Sequence, residues 1–313
     1  MAPEMRNRLK AFLKLLVSAA GIGYIFYKVP FSSIQQNWTA ETLPWIFFLL
    51  FITFLSMLIQ ANRWRGLLLN EGKKIPFRTF YAYIALGYFF TAFLPGGFGG
   101  DIVKTLAFGK RFKQTSRSVA AILVSRVQGL LMLFLLFFIS LPWVLWHYSL
   151  PFYYTVGMGI ALILSIAAIL FCCFSDKIKI PKRFSDRLHF IAKLQDALSL
   201  YRNHKKQFFL SFWDSLLLQL IVFATSYGYF RSIGIVLDFR LVIVFSAITI
   251  IVTMLPISLN GIGLREWVII SLYTGILGLP ADKVLAGNLL GYLLLLFQAI
   301  QGAIVFAVQK KTA

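Results

Sequence analysis

The sequence predicts an all-α fold: a polytopic integral membrane helical bundle with two re-entrant, broken-helix hairpins related as an inverted repeat. Three observations carry this. Of 313 residues, 59% are hydrophobic and 13% charged, at a mean hydropathy of +0.79. Soluble domains carry about 25% charged residues, so this chain has too few to cover a water-exposed surface. Apolar runs of about 20 residues, the length that crosses a bilayer core, recur along it. Finally, the 31 Lys and Arg sit in short clusters between those runs, which is how orientation is encoded in membrane proteins. That distribution also sets nucleic acid aside as the partner of the net charge of +20, because no soluble domain presents a basic tract.

The whole chain, 1–313, reads as a single transmembrane domain. Arg6, Arg8 and Lys10 precede an apolar stretch over 11–28 that is broken only by Lys14. A cleaved signal has an apolar core of about 7–15 residues, so this longer stretch reads as a retained first span. Further spans fall at 43–62, 118–141, 154–174, 208–230 and 284–308. Two more apolar regions, 79–109 and 241–278, are interrupted by Pro and Gly.

Charge counting then gives the topology. Residues 1–14 carry four Lys or Arg, 63–78 five, 104–117 five and 175–207 nine. All of these should face the cytoplasm, which puts both termini on that side of a cytoplasmic (inner) membrane. Only one apolar run separates loops 63–78 and 104–117 before the glycines, so the chain must enter, turn at "PGGFGG" and leave by the same face. Segment 208–230 exits outward, and both 231–240 and 279–283 are poor in positive charge. The region between them enters from the outside, breaks at "PISLNGIG" and returns. Each half thus reads as two spans, a broken hairpin and a further span, in opposite orientations. Many secondary transporters share this layout, with the site at the breaks.

The loop 175–207 also holds three Asp, and Leu188, Ile191, Leu194, Leu198 and Tyr201 recur at helical spacing. A basic amphipathic helix on the cytoplasmic surface fits, as does an ordinary connecting helix whose charges enforce topology.

Non-helical backbone survives at membrane depth only where protein or a water-filled cavity covers it. The two turns therefore predict a polar centre. Helices should restart near Asp101 and Leu264, with partly positive first amides aimed inward. Glycine permits close approach of a ligand, and helix N-termini bind phosphate. Gly96, Gly97, Gly99 and Gly100 read as such a turn; tight helix packing is the alternative, and it is the reading for Gly87 and Gly291.

Five charges fall in or beside apolar segments: Asp101, Arg126, Asp214, Arg265 and Glu266. Each would cost roughly 2.5–3.5 kcal/mol at a helix centre, so partners are expected. Arg126 begins its span about eight positions past the basic loop, ~12 Å deep. That is beyond comfortable snorkelling and makes it the leading partner for a phosphate or carboxylate. For Asp101 and Glu266, helix capping and a functional role stand equal; Asp214 reads as interfacial. No cofactor and no metal are expected. Cys172 and Cys173 are adjacent, His147, His189 and His204 are scattered, and no nucleophile set or nucleotide loop occurs; the chain is not expected to be an enzyme.

The stretches "FLPGGFGGDIVKTLAFGKR", "SRVQGL", "NRWRGLL" and "LPISLNGIGLREWVI" resemble the transmembrane flippase-like domain of lysylphosphatidylglycerol synthases and its stand-alone relatives, over essentially the whole chain. The resemblance implies lipid translocation between leaflets. Carried over by position, it points to Pro95, Gly96, Gly97, Gly99, Gly100, Asp101, Arg126, Pro256, Asn260, Gly261, Gly263, Arg265 and Glu266. Ser125 stands where family members often place an acid before the arginine matching Arg126, which leaves Arg126 to rely on Asp101 or on ligand. The sequence ends at Ala313, soon after the last span, so lysyl transfer is not expected of it.

The expected function is a lipid translocase that takes a phosphate-bearing or aminoacylated headgroup into a polar midplane cavity. Arg126 and Arg265 would attract the anion, the glycine turns would donate amides, and Asp101 and Glu266 would set geometry or meet a cationic headgroup. The rival is a non-transporting scaffold that presents a lipid to a separate glycosyl- or aminoacyltransferase. Membrane lipids are the expected partners; a partner transferase and a homo-oligomer are left open.

Overall fold

The computed structural model describes residues 27, 29–68, 75–93, 99–174, 197, 200–201, 204–254 and 261–311. After a short helix α1 (Phe31–Gln35) come α2 (Thr42–Leu67), α3 (Phe77–Phe93), α4 (Gly99–Phe112), α5 (Thr115–His147) and α6 (Phe152–Phe174). They are followed by α7 (Lys205–Arg231), α8 (Phe239–Met254), α9 (Leu264–Ile269) with a π-helical turn Ile270–Thr274, and α10 (Ala281–Lys311). Helices α2, α5, α7 and α10 are long and apolar enough to cross a membrane. The apolar runs form helices because, in hydrocarbon, every backbone N–H and C=O must be satisfied within its own segment. Phe47, Ile163, Trp213 and many other large apolar side chains face outward, as a lipid-solvated surface requires.

Both Pro/Gly-interrupted regions are antiparallel helix pairs. In the first, Phe80 of α3 packs on Phe108 of α4 (ring centroids 5.3 Å apart). Nearer the turn Gly87 meets Gly100, where an added Cβ on Gly100 would lie 2.0 Å from the Gly87 carbonyl oxygen. In the second, Phe245 of α8 packs on Tyr273 (5.0 Å), and nearer the turn Thr253 meets Gly261. At 14 and 16 residues, α4 and α8 fall short of the ~20 that span a bilayer core.

The halves recur at a nearly constant displacement. Helices α2, α3, α4 and α5 begin at 42, 77, 99 and 115, and α7, α8, α9 and α10 at 205, 239, 264 and 281. The leading helices of the two sets run antiparallel. Thr42 Oγ1 donates to the Ser232 carbonyl (2.9 Å), Gly228 makes room for Leu49, and Arg63 Nη1 donates to Ser215 Oγ (3.0 Å). The aromatic packing recurs too. Trp64, Phe80 and Phe108 cluster at centroid distances of 4.9–5.7 Å. Phe230 and Phe245 both pack on Tyr273, at 4.3 and 5.0 Å. Such pairs add about 0.5–1.5 kcal/mol each beyond area burial, so each hairpin is pinned to its leading helix.

Several Lys and Arg counted with the basic loops 63–78 and 104–117 lie on helices, and two of them, Arg63 on α2 and Lys104 on α4, turn inward to line a central cavity. The span 11–28, apart from Tyr27, and most of 175–207 lie outside the described residues. Of the latter, Tyr201 is buried and donates its hydroxyl to the Leu67 carbonyl, so it faces the protein core rather than the membrane surface.

Candidate functional site: a polar cavity between the two repeats

A cavity of about 610 Å³ lies among all eight helices of the two sets. Its walls are built by polar stripes on otherwise apolar helices. Thr53, Ser56, Gln60 and Arg63 follow one face of α2, Ser215, Gln219 and Ser226 one face of α7, and Ser246, Thr249 and Thr253 one face of α8. Many hydroxyl protons are committed to the helix backbone: Thr249 Oγ1 donates to the Phe245 carbonyl, Thr253 Oγ1 to Thr249 and Thr225 Oγ1 to Ile221, each at 2.8 Å. The oxygen lone pairs stay free to accept.

Asp101, in the first turn of α4, is the hub of one end. Its carboxylate takes Lys104 Nζ at 2.5 Å and both Nε (2.7 Å) and Nη2 of Arg126. Arg126 thus has the partner that Ser125 cannot supply. Lys104 is buried, whereas the Arg126 side chain is 43% exposed, so the guanidinium can reach a guest as well as Asp101. Arg63 adds a third cation to this end of the cavity, with Nη1 on Ser215 Oγ and its charge near Arg126, Asp214 and, more weakly, Asp101.

Arg265 marks the other end. Its guanidinium lies 4.4 Å from the Tyr292 ring centroid and its Nε donates to Glu266 Oε1 at 3.4 Å. Nη2 is buried with no hydrogen-bond partner among the described residues. Gly291 does more than pack here: a Cβ on it would come within 3.1 Å of Tyr229 Oη and 3.6 Å of Arg265 Nη1. From Ser215, beside Arg63, to Tyr229, beside Arg265, is about 21 Å along α7.

The remaining expected residues separate by role. Glu266 is buried beside the cavity, and its carboxylate is fully occupied. Oε2 accepts the Gly263 N–H (2.8 Å), and Oε1 accepts from Asn288 Nδ2 (2.9 Å) and Tyr292 Oη (2.8 Å). This is a helix cap tied to α10, so the Gly263 amide serves Glu266 rather than a guest. Gly261 and Gly263 adopt φ of +79° and +82°, a region that costs side-chain-bearing residues energy. Gly99 is the first residue of α4; Gly100 is a packing glycine. Gly96, Gly97 and Asn260, with Pro95 and Pro256, lie outside the described residues. Asp214 is half-buried, away from the cavity lining, and accepts from Asn62 Nδ2 at 3.3 Å. No group of three or more His, Cys, Asp or Glu placed to hold a metal ion occurs among the described residues; beside Asp101, the polar lining is made of cations, side-chain amides and hydroxyls.

The sequence reading missed Arg63, Lys104 and the neutral polar stripes. The i, i+3, i+7, i+10 spacing of Thr53, Ser56, Gln60 and Arg63 was the available signal.

The family model described as lysylphosphatidylglycerol synthase TM region matches residues 11–306. The chain belongs to this family. The match spans both helix sets and both turns, and with the apolar helices it makes this member an integral membrane protein. A comparison with curated proteins finds no match.

Proposed function

We propose that this family member is a lipid translocase, a transporter rather than an enzyme. It passes a phosphate-bearing or aminoacylated headgroup through the central cavity while the acyl chains stay in the bilayer. The observation that supports this most is the cavity itself: about 610 Å³ of polar, cation-bearing space inside an apolar bundle. Ligand pockets commonly fall between 300 and 1,000 Å³, and buried charge in a membrane protein marks a transport path or ligand site. In this reading both hairpins re-enter the face they came from, the termini are cytoplasmic and the membrane is the inner one. Arg63 and Arg126 meet the headgroup at the Asp101 end, and Arg265 meets it at the other.

The test is flipping of fluorescent anionic lipids in vesicles reconstituted with the purified chain. Translocation above that of empty vesicles, lost in Arg126→Ala at unchanged protein content, supports the reading. No activity across a broad lipid panel favours a scaffold that presents lipid to a separate transferase.

A further inference from the structure

Resting on the translocase reading, we propose that the cargo's headgroup is a polyol or sugar joined through phosphate, not an aminoacylated one. The cavity is poorly equipped for an ammonium. Asp101 is the one carboxylate on its described lining, and it already takes Lys104 and Arg126. Glu266, just behind the wall, already accepts from Gly263, Asn288, Tyr292 and Arg265. Asp214 lies outside the lining. An added amine would therefore enter a site whose cations outnumber its carboxylates and would find no acid to meet it. Burying an unpaired charge is far costlier than burying a hydrogen-bonded hydroxyl.

The cavity is well equipped for hydroxyls. A phosphate fills only the Arg63–Arg126 end. Between that end and Arg265 the wall is neutral, with Gln219, Thr225, Ser226, Ser246, Thr249 and Thr253 all facing the space. The threonines offer oxygen lone pairs, as described above. Two buried donors there lack partners among the described residues: Gln219 Nε2, on a residue that is 9% exposed, and Arg265 Nη2. Unsatisfied buried donors are costly, and a polyol supplies both the acceptors they need and the donors the threonine oxygens can take. Tyr292 adds an aromatic face at the far end.

The test uses the full-length chain in detergent and short-chain lipids that share one negative phosphodiester but differ in hydroxyls. Dioctanoyl phosphatidylmethanol, phosphatidylglycerol and phosphatidylinositol should bind with rising affinity. The first and last should differ by about tenfold, the sum of one to three net hydrogen bonds. Gln219→Leu should lower phosphatidylinositol affinity most and phosphatidylmethanol least, collapsing the ratio. Dioctanoyl lysylphosphatidylglycerol should bind weakest. Equal affinity across the three phosphodiesters, or tightest binding of the lysyl lipid, overturns the proposal while leaving a lipid site intact. Glycerophosphoinositol, which has no acyl chains, should bind far more weakly than phosphatidylinositol. If it binds as tightly, the hydroxyl chemistry stands but the lipid source and the translocase reading fall. Absence of any phosphodiester binding overturns both readings together.

Discussion

The two hairpins share a plan and differ in what holds their acids. Asp101 lies 21 residues after Phe80 and 7 before Phe108; Glu266 has the same spacing from Phe245 and Tyr273. In both, the helix that follows the hairpin reaches back to the acid, with Arg126 in the first case and Asn288 and Tyr292 in the second. In the first, the acid is held by cations at the cavity wall. In the second, it is held chiefly by neutral donors and closes a helix cap behind the wall. One geometry therefore supports a charged cavity end in one half and a structural clamp in the other.

The largest effect that would sharpen this contrast comes from removing each charge while keeping shape. Asp101→Asn leaves Lys104, Arg63 and Arg126 facing one another, with Lys104 buried. Deleting one partner of a buried pair costs about 3–5 kcal/mol. Because Arg126 is substantially exposed, most of that belongs to Lys104, and adding Lys104→Met should recover most of it in equilibrium unfolding. Glu266→Gln should cost only about 1–3 kcal/mol, the scale of a disturbed buried hydrogen-bond set. Equal losses at both positions would break the comparison.

Next in size is the crossing of α3 and α4. Gly100→Ala places a Cβ against backbone at Gly87 and against Thr91 Oγ1 at 2.1 Å. Overpacking of this kind costs about 1–3 kcal/mol, measured as a fall in unfolding midpoint. Gly228→Ala on α7 should be milder, under about 1 kcal/mol, because its Cβ meets the far end of the flexible Leu49 side chain at 2.8 Å. A variant Gly100→Ala as stable as the parent would mean the helices are not held this closely.

The smallest effect belongs outside the cavity. Asp214→Asn should cost no more than about 1 kcal/mol, since this half-exposed carboxylate accepts from the exposed Asn62 and interacts with Arg63. A loss comparable to that of Asp101→Asn would make Asp214 a second anchor of the Arg63 charge.

Much of this was legible in the sequence because hydrocarbon leaves few options. Apolar runs of spanning length become helices, and "LPGG" and "LPIS" mark where two helix pairs are interrupted. Asp101, Arg126 and Arg265 stood out as charges in apolar surroundings, and all three line the cavity. Arg63 and Lys104 did not, because a basic residue near the end of an apolar window reads as a loop charge. Only the facing helix, through Ser215 in one case, and the carboxylate one turn earlier in the other, show them turned inward. Gly100 looked like part of a ligand-binding turn, and only its contact with Gly87, thirteen residues earlier, assigns it to packing. The repeat was legible as a topology but not residue by residue, because shape recurs while identity does not: Trp64 is matched by Phe230 and Phe108 by Tyr273.

The account rests on both hairpins returning to the face they entered, from opposite sides of the membrane. Single cysteines introduced as Ile75→Cys, Lys113→Cys and Leu279→Cys, in a chain with Cys172 and Cys173 replaced, can be labelled with a membrane-impermeant maleimide from each side. The account predicts that positions 75 and 113 react from one side and position 279 from the other. Labelling of 75 and 113 from opposite sides would contradict it.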